Sequence, residues 1–417
     1  MNSIFLSWGI ALAATAGVIL RPLRWPEAIW AVIGALMLVA LGLLPAKLAW
    51  QAVGKGTDVY LFLIGMMLLS ELGRREGLFD WVAVHAVNWA KGSPRKLFLL
   101  VYLVGVVVTT FLSNDAAAVV LTPAVFAAAR KAHTKPLPFL FVCAFIANAA
   151  SFVLPISNPA NLVLYANHTP ALGLWVARFA LPSALSIVAT FLMLRWTQRA
   201  NLSGACARDL PVEPLSTNGK LTLASLGVTA IALLVVSAFD LQLGLPTSIL
   251  GILTALVVLI KERESPLELI GQISWSVLPL VAGLFVLVEV LDYTGVIHEL
   301  SALLVQANRQ NASISAALSG LLIAFGSNAI NNLPAGLIAS ATALQAHAPE
   351  RVIDALLIGV DLGPNLSITG SLATILWLSA IRREGEEVSF GQFLKIGVLV
   401  MVPALVLALA SRLMAGH

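Results

Sequence analysis

Long apolar runs separated by short polar breaks dominate this chain. Runs long enough to cross a bilayer, at about 20 residues each, lie near 3–20, 26–44, 58–73, 137–166, 172–195, 221–241, 246–260, 273–291, 352–381 and 393–413. They predict ten spans. Two more apolar stretches, 97–130 and 312–346, carry polar islands: FLSNDAAAVVLTP (Phe111 to Pro123) and FGSNAINNLP (Phe325 to Pro334). Each island is followed by a second break, LPISNPANL (Leu154 to Leu162) and DLGPNLSITGSLAT (Asp361 to Thr374). Lipid cannot satisfy the amides and carbonyls that a break frees, so such breaks are tolerated where protein or a cavity surrounds them. The pattern therefore predicts two re-entrant hairpins with polar tips and two broken helices. Segments 78–91 and 296–308 read as amphipathic surface helices ahead of each hairpin, and 197–220 is a long polar linker.

Matched interruptions in two halves mark a secondary transporter built from an inverted repeat. Gly65, Glu71 and Gly77 recur as Gly283, Glu289 and Gly295, each 218 positions on. Ser113-Asn114 recurs as Ser327-Asn328 at 214, and Asn158 falls opposite Gly370 at 212. The expected fold is an all-α polytopic membrane protein with an inverted-topology repeat. Residues 1–196 form the first repeat, 197–220 a cytoplasmic linker and 221–417 the second repeat.

Composition agrees. Of 417 residues, 59% are hydrophobic and 11% charged, against about 25% charged in soluble domains. The net charge of +4 needs no nucleic acid to explain it, because lysines and arginines flank the spans. With the N-terminus outside and each hairpin returning to its starting side, all but six of the 25 Lys and Arg fall in cytoplasmic segments, Arg24 and Arg263 among them. The six are Lys47, Lys55, Arg178, Arg309, Arg351 and Arg412. Hairpin 97–130 has basic flanks (Arg95 and Lys96, then Arg130 and Lys131), so it opens inward. Hairpin 312–346 has few basic flanking residues and opens outward. The first run lacks a basic start and reads as a retained span, with both termini outside and an inner (plasma) membrane of a prokaryote as the location. Trp25, Trp50, Trp196 and Trp275 sit at span ends as interface anchors.

The helix that starts after a hairpin tip offers free amides and a partial positive charge. Ser113, Asn114, Ser327, Asn328, Asn331 and Asn332 occupy the two tips, where such residues cap helices and also face the cavity. Asn158, Asn161, Ser367, Thr369 and Ser371 add amides and hydroxyls from the broken spans. This set suits a small hydroxylated or oxyanionic solute, or a dehydrated cation. Asp115 and Asp361 lie deep in apolar sequence beside the breaks, where an acid is functional by default. Removal from water favours the protonated form of a carboxyl, so these two are the expected proton carriers. The bland alternatives are a helix cap for Asp115 and a permanent pairing for Asp361. Asp58, Glu71, Glu289 and Asp292 lie nearer span ends and read as interfacial or salt-bridged.

Other chemistry finds no support. His85, His133, His168, His298, His347 and His417 fall in predicted loops, surface helices or the tail, and Cys143, in an apolar segment, and Cys206, in the polar linker, are not expected to form a disulfide. No zinc spacing, nucleophile elbow, His-Glu-x-x-His or phosphate-binding loop occurs. No metal, cofactor, ATP or enzymatic activity is expected.

The islands, with ANAASFVLPISNPANLV (147–163), NNLPAGLIAS (331–340), GVDLGPNLSITGSLATILWL (359–378) and TDVYLFLIGMMLLSELGRREGLFDW (57–81), resemble the ion transporter superfamily. In particular they resemble its ArsB-type arsenite/antimonite efflux permeases, over essentially the whole chain. The resemblance implies proton-driven export of trivalent arsenic or antimony, and a soluble arsenite-stimulated ATPase as a partner that members can take. Well-known members carry a lysine where this chain has Asn365, and some an acid at Asn148, so coupling here falls to Asp115, Asp361 or another group. With three converging thiols absent, the expected substrate is the neutral trihydroxide, held by hydrogen bonds. A sodium/proton antiporter of the same superfamily is the alternative. Dicarboxylate or sulfate carriage fits less well, because acids at the tips repel anions.

Overall fold

The computed structural model describes residues 2–22, 25–165, 169–239, 241–262 and 265–415. Arg24, Arg263, His168 and His417, which entered the charge and histidine readings, lie outside them. The described residues are helical throughout, joined by turns and short irregular segments. Seven helices are long and apolar enough to cross a membrane, and two bent pairs, Ala46–Lys55 with Thr57–Arg75 and Pro266–Gln272 with Val277–Tyr293, pass the same test together. The bends are 47° and 46°, so the two pairs match in shape as well as in order. Two of the seven long helices, Pro94–Leu112 and Ala312–Ile330, are the first arms of the expected hairpins. Glu27–Ala40 is a 14-residue helix in the expected 26–44 run, short for a span on its own.

The repeat is visible in packing. Thr57–Arg75 packs on Gly244–Glu262 of the second half, and its counterpart Val277–Tyr293 packs on Glu27–Ala40 of the first. Gly65 and Gly283 sit at these two crossings. A Cβ on Gly65 would stand 2.2 Å from the Thr247 carbonyl oxygen, and one on Gly283 2.8 Å from the Ala31 carbonyl carbon. Only a residue without a Cβ allows that approach. Gly77 and Gly295 start the two surface helices in left-handed conformation, at φ +68° and +89°. Glu71 and Glu289 are both ion-paired, Glu71 with Arg74 and Glu289 with Lys55 at 2.6 Å.

Each hairpin reverses at a residue with positive φ: Ser113 at φ +101° and ψ 160°, and Asn331 at φ +73° and ψ 154°. This region is sparsely populated for any residue but glycine and costs about 1–3 kcal/mol. The shared conformation aligns Ser113-Asn114 with Asn331-Asn332, at the same spacing of 218 as the glycines. The expected match to Ser327-Asn328 is therefore one helical turn early. Beyond Ser113 the chain continues as Asn114–Ala116, a π-helical turn Ala117–Leu121, and Thr122–Lys131. Cys206 and Ala207 of the linker donate backbone hydrogen bonds to Gly92 (3.1 Å) and Ala132 (2.9 Å). Adjacent linker residues thus hold both ends of the first hairpin at one end of the molecule.

The broken spans run as Leu137–Ala149 then Pro159–Tyr165, and Glu350–Leu362 then Leu372–Arg383. Pro155, Pro159 and Pro364 lack the amide hydrogen that would continue a helix. Between the halves lie one-turn 3-10 segments, Pro155–Ser157 in the first and Gly363–Leu366 and Ile368–Gly370 in the second. The second half-helix of each broken span packs on the other repeat's hairpin: Pro159–Tyr165 on Asn332–Gln345, and Leu372–Arg383 on the 117–131 arm. The two hairpins and two broken spans therefore form one interlocked unit.

Candidate functional site

The centre of that unit is a buried network of amides and one carboxylate. Asp361 is fully buried; its Oδ1 accepts from the Asn158 amide at 2.8 Å, and the Ser151 hydroxyl lies near the carboxylate. Asn158 Oδ1 in turn accepts from the backbone N–H of Ala160 at 3.0 Å, capping the half-helix that follows. The Asn148 amide donates to Asn365 Oδ1 at 3.0 Å, and the Asn365 amide donates to the Phe145 carbonyl at 3.0 Å. Asn161 donates to the carbonyls of Ser151 (2.8 Å), Leu154 and Pro155 (both 3.3 Å), holding the acceptors that the first break frees. Most of this network satisfies backbone polar groups, as any break removed from water requires.

The second tip is likewise closed on itself. Asn328 lies in the first arm and donates to the Ala324 (2.8 Å) and Gly363 (2.9 Å) carbonyls. Ser367 donates to Asn328 Oδ1 at 2.7 Å, Thr369 to the Asn328 carbonyl at 3.1 Å, and Asn331 to the Thr369 carbonyl at 3.3 Å. Ser327 bonds back to Ala324 at 2.9 Å. Ser371 forms a capping box with Thr374 at the start of the last half-helix. Asn332 is buried, with its Oδ1 unpartnered. Among the expected residues of the second half, this leaves few groups free for a solute.

The first tip is open. A cleft of about 90 Å³ lies between the hairpin, helix Thr57–Arg75 and segment 272–277. Ser113 and Asp115 line it, and neither side chain has a hydrogen-bond or ionic partner among the described residues. Asn114, beside them, is buried with its Oδ1 unpartnered. Across the cleft stand Ser70, Glu71, Gln272 and Ser274, a set that the sequence reading did not single out apart from Glu71. Arg74 clasps Glu71 through its Nε at 2.9 Å and also reaches Gln272. The cleft sits toward the linker end, since Ser216 of the linker bonds Glu76 at 3.0 Å. No lysine, arginine or histidine lines the cleft among the described residues.

A buried ionic cluster also escaped the sequence reading. Asp354, fully buried, accepts from Arg412 Nε at 2.8 Å and from the Tyr165 hydroxyl at 2.5 Å, with Arg178 at 3.7 Å. Arg178 also pairs with Glu350. A signal existed: Arg412 interrupts an otherwise apolar last span, and such a charge needs a partner. Cys143 is buried in Leu137–Ala149 with its thiol directed at the Phe139 carbonyl, 3.7 Å away, and does not line the cleft.

Comparison with known proteins places this architecture. Residues 11–359 match the CitMHS family, described as citrate transporters. The Escherichia coli K12 arsenical pump membrane protein is 29% identical over 401 residues, spanning 91% of this chain and 92% of that protein. The arsenical pump membrane protein of Yersinia enterocolitica is 28% identical, spanning 87% and 86%. An uncharacterised transporter of Mycobacterium tuberculosis is 24% identical over 96% of both chains. Among solved structures, the YdaH transporter of Alcanivorax borkumensis superposes with a TM-score of 0.59 at 16% identity, over 88% of this chain and 86% of that one. That last likeness concerns the fold.

Proposed function

The chain belongs to the CitMHS family of citrate transporters, and within it we propose that this membrane transporter exports trivalent arsenic and antimony as neutral hydroxides in exchange for protons. The observation that carries the reading is the open first tip: Ser113 and Asp115 face a cleft without partners among the described residues. The likeness to arsenical pump membrane proteins over nine-tenths of the chain supports the substrate. Citrate fits the cleft poorly, because Arg74, the cation beside it, is already paired with Glu71, and this leaves the Asp115 carboxylate as the unpaired charge among the described lining residues. A thiol mechanism also fits poorly, with Cys143 facing away. A neutral trihydroxide can donate to Asp115 and exchange hydrogen bonds with serine hydroxyls. Such binding is weak enough to reverse.

In this reading ten spans cross the inner membrane with both termini outside, and the hairpins enter from opposite sides. The first tip meets the cytoplasmic cleft, and alternating access carries its contents to the other face. Asp115 and Asp361 carry the proton. The remaining residues of the tips and breaks shape the site: Asn114, Asn158, Asn161, Ser327, Asn328, Asn331, Asn332, Ser367, Thr369 and Ser371. Exchanging one inward proton for one neutral molecule moves one charge, for which 100 mV supplies about 2.3 kcal/mol. That corresponds to roughly a fiftyfold gradient, so a soluble ATPase is an accessory and not a requirement.

Uptake by everted vesicles energised with a proton gradient tests the reading, with arsenite, antimonite and sodium compared as solutes. Accumulation of arsenite or antimonite that collapses with the gradient is expected. Sodium accumulation with no arsenite uptake would replace it with the sodium/proton antiport reading.

A further inference from the structure

The cleft at the first tip has a structural counterpart with opposite chemistry. Met66, Ser70, Ala116 and Val120 of the first cleft correspond, 218 positions on, to Leu284, Val288, Pro334 and Ile338. These four line a second cleft of about 160 Å³ beside the second tip. In the first cleft the hydroxyls of Ser70 (8% exposed) and Ser113 (4% exposed) have no partner, and Ser274 and Asp115 share that state among the described residues. In the second cleft Val288 replaces Ser70. Its two polar side chains are already bonded, Thr15 to the Ala11 carbonyl at 2.8 Å and Trp8 to Thr294 at 2.9 Å.

Ser70 and Ser274 stand on the wall opposite the hairpin, whereas Ser113 and Asp115 belong to the tip itself. A solute in the first cleft therefore meets hydroxyls from both walls. One that left by the far side would leave Ser70 and Ser274 behind, and the equivalent wall there, beside the second tip, is apolar.

We infer that Ser70 and Ser274 form a one-sided loading subsite for a small hydroxylated solute, present at the linker-end face of the protein and absent from the opposite face. The inference rests on the alternating-access reading above and adds a direction to it. The solute binds more tightly where it loads than where it leaves. A neutral hydrogen bond of ordinary net strength corresponds to roughly a two- to tenfold change in affinity. With two such bonds, the two faces should differ in apparent KM by about tenfold.

The experiment measures arsenite transport from each face in everted and right-side-out vesicles, at matched pH and without a membrane potential. Wild type is expected to show the lower KM at the linker-end face. Ser70→Ala and Ser274→Ala should each raise that KM about threefold and leave the other face alone, a split that a general packing defect cannot produce. Val288→Ser should lower the KM at the opposite face. Equal wild-type KM values at the two faces, or a Ser70→Ala effect equal at both, would overturn the subsite while leaving arsenite export standing. Wild-type vesicles that carry no arsenite would overturn the functional reading and this inference with it.

Discussion

Asn158 donates its amide to Asp361 across 2.8 Å and accepts from the backbone of Ala160 with its other end. One side chain thus joins the break of the first repeat to the carboxylate of the second. If Asp361 takes up a proton, as proposed, the change in what Asn158 holds is passed to the N-terminus of the half-helix Pro159–Tyr165. That helix packs on the second hairpin.

Asp115→Asn and Asp361→Asn keep size and hydrogen-bonding capacity while removing the proton site. Each is expected to abolish proton-driven arsenite accumulation in everted vesicles while some downhill exchange survives. The wild-type pH dependence should vanish with it, because the proposed proton carrier is gone. If both single variants pump against a gradient with a normal pH profile, coupling lies elsewhere. The ion-paired Glu71 and Glu289 would be the next to test.

Replacing Cys143 and Cys206 together with serine should leave arsenite resistance within about twofold of wild type, since neither thiol lines the cleft. A new buried hydroxyl at 143 can bond the Phe139 carbonyl that the thiol now faces, which keeps its desolvation cost small. Lost transport by a well-expressed double variant would restore a thiol mechanism.

Single cysteines placed at 130–135 and in 197–220 should label from the same side of the membrane, the cytoplasmic one. The hydrogen bonds from Cys206 and Ala207 to Gly92 and Ala132 require the shared side; the basic flanks select which side it is. Labelling of 130–135 from outside alone would contradict the inward-opening hairpin.

The Asn148–Asn365 pair is fully buried and neutral. Introducing one charge there, by Asn148→Asp or Asn365→Lys, should cost several kcal/mol, because an unpaired ion is being buried. The double variant should recover most of that loss, measured as the thermal midpoint of the detergent-solubilised protein. A double variant as unstable as the sum of the singles would mean the two side chains do not face each other.

Asp354→Ala or Arg412→Leu should each destabilise by about 3–5 kcal/mol, the usual result of stranding one partner of a buried pair. Asp354→Leu combined with Arg412→Leu should be milder than the sum of its single changes. Glu350, at the exposed start of the same helix, is held below its ordinary carboxylate range by the Arg178 hydrogen bond. Its stabilising contribution is therefore present at neutral pH and lost as the pH falls through that lowered value. Glu350→Gln should flatten the acid limb of the stability profile.

Much of this architecture is legible in the sequence because breaks in apolar runs are rare and expensive. Gly65 and Gly283 stand out for a physical reason, since both sit where two helix backbones touch. The register of the second tip misleads because Ser327-Asn328 repeats the letters of Ser113-Asn114 one turn ahead of the true reversal at Asn331. Letters alone do not reveal a positive φ. Ser70 gives no signal at all, because a serine beside a glutamate in a helix has many uses. The partners of Asp354 lie 58 and 189 residues away, a separation that no local pattern spans.

The position of Arg412 has a consequence for how the protein is made. Helix Glu350–Leu362 is synthesised before Phe390–Met414, so Asp354 leaves the ribosome well ahead of the cation that neutralises it. Tyr165 and Arg178 are synthesised earlier still and can serve it as interim partners. The nascent bundle can thus hold a lone acid until the last helix arrives, and a chain arrested before Arg412 would be left with an unbalanced charge for quality control to find.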